Sequence, residues 1–171
     1  MKANLLISAS LIALTAACGS EQTLGPDMDI GSTTSAGFTS LANGVDIEME
    51  PGSQGGLHIE MNVQMSKDLA DSYDDLYLRR EVRRVDTGQL VSKSVTAPPM
   101  TEPEAGLVTS ATLRVILCPA PVGIKVDDQE LELTVIATDT VDGEGPQATL
   151  RFSPRCPGGE AESFCRRSCD G

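Results

Sequence analysis

Val45-Asp46-Ile47-Glu48-Met49-Glu50, the segment Pro51-Gly52-Ser53-Gln54-Gly55-Gly56, and Leu57-His58-Ile59-Glu60-Met61-Asn62-Val63-Gln64-Met65 together decide the fold. In both outer runs the odd-numbered positions are apolar and the even-numbered ones polar. A period of two is the period of a strand, whose side chains point alternately to opposite faces. Each run is therefore expected to bury one face and wet the other. Pro and Gly dominate the middle segment, and they supply the fixed and the positive φ values that a chain reversal needs. The expected local structure is two half-buried strands joined by a Gly-rich turn.

The pattern recurs downstream. Leu113-Arg114-Val115-Ile116-Leu117 and Leu131-Glu132-Leu133-Thr134-Val135-Ile136-Ala137 read as strands, and Ala148-Thr149-Leu150-Arg151-Phe152 follows the turn residues Asp142-Gly143-Glu144-Gly145-Pro146. Asp68 to Val85 offers a helix as well, with Asp68, Asp71, Asp74 and Asp75 ahead of Arg79, Arg80, Arg83 and Arg84, the order a helix dipole favours. Yet Leu76-Tyr77-Leu78, Val82 and Val85 lead into Asp86-Thr87-Gly88, and Gln89 to Val95 reads as a returning strand. A short helical turn near Leu69 to Tyr73 followed by a hairpin is expected. The arginines read as a solvated face balancing the nearby aspartates. Short strands between turn signals, with almost no helix, argue for an all-β fold, an antiparallel β-sandwich of about seven strands.

Upstream of Val45 the chain changes character. Gly19 to about Asn43 is rich in Gly, Ser and Thr without a sustained apolar period, and reads as a flexible stalk. The other reading is a first strand hidden by low complexity, which Phe38 and Leu41 permit. Before it, Met1 to Cys18 reads MKANLLISASLIALTAAC: a basic Lys2, a short apolar run, then small residues. A membrane span needs roughly 20 apolar residues, so this run fits an export signal better. Leu14-Thr15-Ala16-Ala17-Cys18 resembles the lipobox of bacterial lipoproteins, with Thr15 where that family favours leucine. The resemblance implies cleavage before Cys18, a diacylglycerol on its sulfur and acylation of the new amino terminus; two or more chains make a stable anchor. An ordinary signal cleaved after Ala17, leaving Cys18 as a structural thiol, is the alternative. Five cysteines favour the lipid: Cys18 accounts for the odd one and leaves Cys118, Cys156, Cys165 and Cys169 as an even set for disulfides. Gly19 after the cysteine would favour the outer membrane by the enteric sorting rule.

Charge and composition narrow the partners. The chain has 25 acidic and 13 basic residues, net −12, and loss of Lys2 with the signal makes it more negative still. Nucleic acid and anionic lipid surfaces are not expected partners. With no Trp, two Tyr and three Phe, it is also poor in the aromatic anchors of sugar platforms and interface hot spots. Roughly 150 mature residues suit one domain on a tether.

Gly52-Ser53-Gln54-Gly55-Gly56-Leu57-His58-Ile59 resembles the G-P-Q-G-G-x-H motif of a group of lipoproteins from myxobacteria and related bacteria, with Ser53 at the proline position. Asp128-Gln129-Glu130-Leu131-Glu132-Leu133-Thr134-Val135, followed by Asp139, Asp142-Gly143 and Pro154-Arg155-Cys156, is similar to the last hairpin of immunoglobulin-like domains in the same group. The resemblance implies an exported, lipid-anchored, immunoglobulin-like sandwich and no particular activity. In an immunoglobulin-like order the strands ending near Cys118 and Cys156 finish at the same pole. Cys118–Cys156 with Cys165–Cys169 is therefore the preferred pairing, with a local Cys156–Cys165 loop as its rival. In every full pairing Cys118 must join the tail.

Little in the sequence points to chemistry. One histidine, His58, is too few for a type 1 copper centre or a His-rich zinc site. Met61 and Met65 share a face with Leu57 and Val63 and read as core. The four later cysteines lack a C-x-x-C pair, and an exported compartment favours disulfides over zinc. Asp139, Asp142 and Glu144 could ligate calcium, but Asp142-Gly143 is already explained as a turn. His58 is expected to face water beside Glu60, and no catalytic, cofactor or metal residue is expected. The expected organisation is a lipoprotein signal (1–17), a lipidated stalk (18–43), the sandwich (44–156) and a cysteine-containing tail (157–171). It would be a non-catalytic envelope lipoprotein, held in the membrane through Cys18 and meeting an unidentified envelope partner. The alternative is a small metal-binding protein or enzyme with a site at His58 and the 51–56 loop.

Overall fold

In the computed structural model, which describes residues 27–170, the alternating segments become strands stacked in two sheets. The described strands are β1 (Met28–Thr34), β2 (Gly37–Ser40), β3 (Val45–Glu48), β4 (Glu50–Pro51), β5 (Leu57–Ser66), β6 (Tyr77–Arg84), β7 (Leu90–Thr96), β8 (Met100–Glu104), β9 (Leu107–Ser110), β10 (Leu113–Cys118), β11 (Leu131–Thr138) and β12 (Gln147–Arg155). Two short α-helices, α1 (Lys67–Asp71) and α2 (Glu162–Cys169), and a single 3-10 turn at Gly159–Ala161 complete the described elements.

One sheet runs β2-β1-β5-β9-β8, with β4 and β10 also paired to β5; the other runs β3-β12-β11-β6-β7. The long β5 organises the first sheet. Its C-terminal half lies between β1 and β9, and its N-terminal half pairs with β4 and β10. Every pairing is antiparallel except β3 with β12, where Val45 to Glu48 run alongside Phe152 to Arg155.

The core fills the space between the sheets. Leu57, Ile59, Met61, Val63 and Met65 of β5 are at most 1% exposed, and Leu131, Leu133, Val135, Leu150 and Phe152 face them from β11 and β12. Burying each such side chain contributes about 1.5–3 kcal/mol before chain entropy is charged against it. The all-β sandwich is thus as expected, and Met61 and Met65 belong to the core.

The strand count is higher than the seven expected, for three local reasons. First, the stalk reading of 18–43 does not hold for residues 28–40. They form the β1–β2 hairpin, which buries Met28 and Ile30 and pairs Met28 to Gly31 with β5. Gly31 lies under the Phe38 ring and the Thr39 carbonyl, with no room for a Cβ. The Ser and Thr residues that made this segment look unstructured are mostly on the wet side of an edge hairpin. Residues 18–26 of that stalk, the signal 1–17 and Gly171 lie outside the described residues. Second, 45–50 is not one strand. β3 belongs to the second sheet and β4 to the first, and the chain crosses between them at Met49, which is 1% exposed and donates its N–H to the Arg155 carbonyl. Third, β8 and β9 lie in a stretch whose Pro98, Pro99 and Pro103 masked it. β8 is an edge strand, where a missing N–H is tolerated.

Residues 67–96 match the sequence reading. Ser66 Oγ accepts from Leu69 N at 3.3 Å and caps the single turn of α1, and β6 and β7 then form the hairpin.

Candidate functional site

His58 and the loop before it form the most built-up surface feature. Alternation places Leu57 and Ile59 toward the core and His58 on the outer face of the sheet, as expected. That face is not wet there: His58 is only 7% exposed, contrary to the expectation that it faces water. The cause is the 52–56 loop. Gly52 N donates to the Gly56 carbonyl at 2.7 Å and Gly55 N to the Gly52 carbonyl at 3.1 Å, folding the loop back on the strand. Gly55 sits at φ 82°, where a side chain is strained, and Gly52 lies so close to the ring that a Cβ there would stand 3.5 Å from His58 Nδ1. Glu50 and Ile116 are the direct cross-strand neighbours of His58 on β4 and β10.

The loop, the ring and the end of β10 line a groove of about 430 Å³, bounded by Gly52, Gln54, His58, Arg114, Ile116 and Pro119. Ile116 is 61% exposed on its wall. Glu60 follows His58 on the same face, with its Oε1 3.6 Å from His58 Nε2 and 3.0 Å from Arg114 Nε. The Arg114 hydrogen bond, chiefly, holds the Glu60 carboxyl below the usual carboxylate range. His58 Nε2 is buried and has no hydrogen-bond partner among the described residues. One ligating atom each from Glu50, His58 and Glu60 lie within 4.8 Å of one another.

The four later cysteines are paired, and the tail is stapled to the sandwich as expected. The preferred connectivity is corrected: the bridges are Cys118–Cys169 and Cys156–Cys165, with Cα separations of 5.2 and 5.7 Å. The reason is helical. Cys165 and Cys169 are one turn apart on α2, so both point from the same face into the sandwich and both are fully buried. The short 157–164 connection turns Cys165 back onto Cys156, and the next turn sets Cys169 over Cys118 at the end of β10. Ala120 N and Val126 N donate to the carbonyls of Ser168 and Cys169 and fasten the helix C-terminus. Asp127, 2% exposed, accepts from Cys156 N at 3.0 Å and Arg166 Nη1 at 2.8 Å. Nothing in the local pattern of Val126-Asp127-Asp128 singled this carboxylate out, because its donors come from 29 and 39 residues away.

The arginine run is not a uniformly solvated face. Leu78, Arg80 and Val82 share the core side of β6, and Arg80 is 3% exposed. Its Nη1 donates across the sandwich to the Arg114 carbonyl at 3.0 Å and its Nη2 to Thr96 Oγ1 at 3.2 Å, while its Nε has no partner. No described carboxylate lies within ion-pair distance of it, and burial lowers its pKa from the usual arginine value. The acidic turn also has a structural explanation: Arg79 Nη1 donates to the Gly143 carbonyl at 2.7 Å, and Lys93 stands 3.9 Å from Asp142. Asp139, Asp142 and Glu144 are not among the close ligand groups of the described residues.

No protein-family model matches the chain, and no curated protein matches it. The CooA pilin subunit from enterotoxigenic Escherichia coli is similar in structure over 78% of this chain and 100% of that one, at 13% identity and a TM-score of 0.37. A likeness of that degree assigns neither family nor function.

Proposed function

We propose that the protein is an exported lipoprotein of the cell envelope, anchored through Cys18, whose sandwich is a non-catalytic structural or interaction module. The observation that carries this reading is the use of the cysteines. Four of the five close two disulfides, the chemistry of an oxidising compartment, and Cys18 is left over as a lipid acceptor. The lipobox-like 14–18 segment and the myxobacterial-type motif at 52–59 point the same way, and Gly19 favours the outer membrane. The chain meets its partner by surface contact without turnover. Among the described residues the ligating groups gathered at the buried imidazole are the carboxylates of Glu50 and Glu60.

Replacing Cys18→Ala tests the anchor. The variant should leave the membrane fraction for the soluble exported fraction and lose labelling by a clickable fatty acid. Label retained in the variant would overturn the reading.

A further inference from the structure

The structure assigns a divalent transition-metal site to Glu50, His58 and Glu60, beneath the 52–56 loop. It goes beyond the structural role proposed above and does not depend on the lipid anchor.

Strand register builds the cluster. Glu50 lies directly opposite His58 across the β4–β5 pair, and Glu60 is two residues along β5 on the same face. The three ligating atoms lie within 4.8 Å of one another, whereas ligands around a tetrahedral zinc at roughly 2.0–2.2 Å stand about 3.3 Å apart. Small carboxylate rotations close that difference, because Glu50 is exposed and Glu60 half-buried.

The imidazole supplies the second, independent observation. Its side chain is 9% exposed, and its Nε2 is buried, aimed at Glu60 and without a hydrogen-bond partner. A polar atom in that condition carries a desolvation penalty that a metal bond would offset. The loop borders the other side of the ring: a Cβ on Gly52 would stand 3.5 Å from His58 Nδ1. The site therefore offers one buried nitrogen ligand and two adjustable oxygen ligands.

This donor set selects the metal class. One imidazole with two carboxylates suits zinc and its divalent neighbours, while an all-oxygen set would suit calcium or magnesium. Three protein ligands leave one position open on the groove side for water or a partner's side chain. Arg114 opposes occupancy, since its guanidinium already holds Glu60 at 3.0 Å. It is 71% exposed and free to swing into solvent when a cation displaces it.

Zinc titration of the full chain, extracted in detergent with its disulfides intact and read by a competing chromophoric chelator, tests the proposal. One zinc per chain should bind, and Glu50→Gln and His58→Gln should each weaken it at least tenfold. Arg114→Gln should tighten it, by removing the competing cation. Glu144→Gln, an acidic change outside the cluster, should leave it unchanged. Glu50 is exposed, so Glu50→Gln tests the site even if His58→Gln unfolds the chain. Absence of saturable one-to-one binding would overturn the site, as would zinc affinity indifferent to Glu50→Gln.

Discussion

Removing each disulfide separately should show that the Cys118–Cys169 bridge matters more to stability than its neighbour. The perturbation is Cys118→Ala with Cys169→Ala, against Cys156→Ala with Cys165→Ala, so that no odd thiol is left. The long bridge spans 51 residues and the short one 9. In the chain-entropy account these restrict the unfolded state by about 4 and about 2.5 kcal/mol respectively. Packing widens the gap. Cys118 and Cys169 are fully buried, each with its sulfur 4.0 Å from Met49 Sδ, whereas Cys156 is only half-buried. Truncation at 118 and 169 thus also leaves a void under the residue where the chain crosses between sheets. Domains of this size are stable by about 5–15 kcal/mol in total, so the long-bridge variant retains a much reduced margin. Guanidinium unfolding followed by far-UV circular dichroism is the assay, because the chain has no Trp to report by fluorescence. The m-value should rise in both variants as the unfolded chain expands, so extrapolated free energies must be compared rather than midpoints. If the short-bridge variant lost as much stability as the long-bridge one, the loop-length reasoning would be wrong. A non-reducing peptide map joining Cys118 to Cys156 would refute the pairing itself.

Two further substitutions probe features the sequence concealed. Gly31→Val places a branched side chain against the Phe38 ring and the Thr39 carbonyl and should destabilise by about 1–3 kcal/mol, measured by the same unfolding titration; an unchanged midpoint would show that the β1–β2 hairpin does not close as described. Arg80→Met should stay within about 1 kcal/mol of the parent, since relief from burying an unpaired cation offsets its two lost hydrogen bonds, while Arg80→Lys should cost about 2 kcal/mol because it keeps the charge and loses the fork. Lysine tolerated better than methionine would contradict that account.

The core faces were legible because they ask only for apolarity at a period of two. Leu57 to Met65, Leu113 to Leu117, Leu131 to Ala137 and Ala148 to Phe152 all satisfy it, and each became the strand expected. The same rule is silent on which strand a run pairs with, so it could not show β3 leaving for the second sheet while β4 stayed in the first. It also misses strands that bury little. The β1–β2 hairpin reads as a Gly, Ser and Thr tract because Gly31 is there to receive an aromatic ring from its own partner, a contact with no signature along the chain. Disulfide pairing was beyond reach for a related reason: four cysteines allow three connectivities, and the choice depended on a helix in the tail setting Cys165 and Cys169 on one face.

His58 and Arg80 misled in opposite ways, and together they separate two quantities that sequence reading tends to merge. Parity along a strand sets which sheet face a side chain occupies. For Arg80 it is informative, since 78, 80 and 82 share a side, and only the general rule that arginines are exposed argued for solvent. That rule yields when the guanidinium can reach a carbonyl in the opposite sheet, as Arg80 does at Arg114. For His58 parity is again right about the face and wrong about the water. Exposure on an outer face depends on what folds over it, and here the cover is the 52–56 loop, whose return is set by Gly52–Gly56 hydrogen bonds and the positive φ of Gly55. A glycine-rich turn beside an outward polar residue is thus more than a connector: with no side chains in the way, its backbone can lie flat on the sheet and withdraw the neighbouring imidazole from solvent. That withdrawal leaves a buried Nε2 without a hydrogen-bond partner in a cluster with the Glu50 and Glu60 carboxylates, and so it turns an unremarkable strand histidine into a candidate ligand.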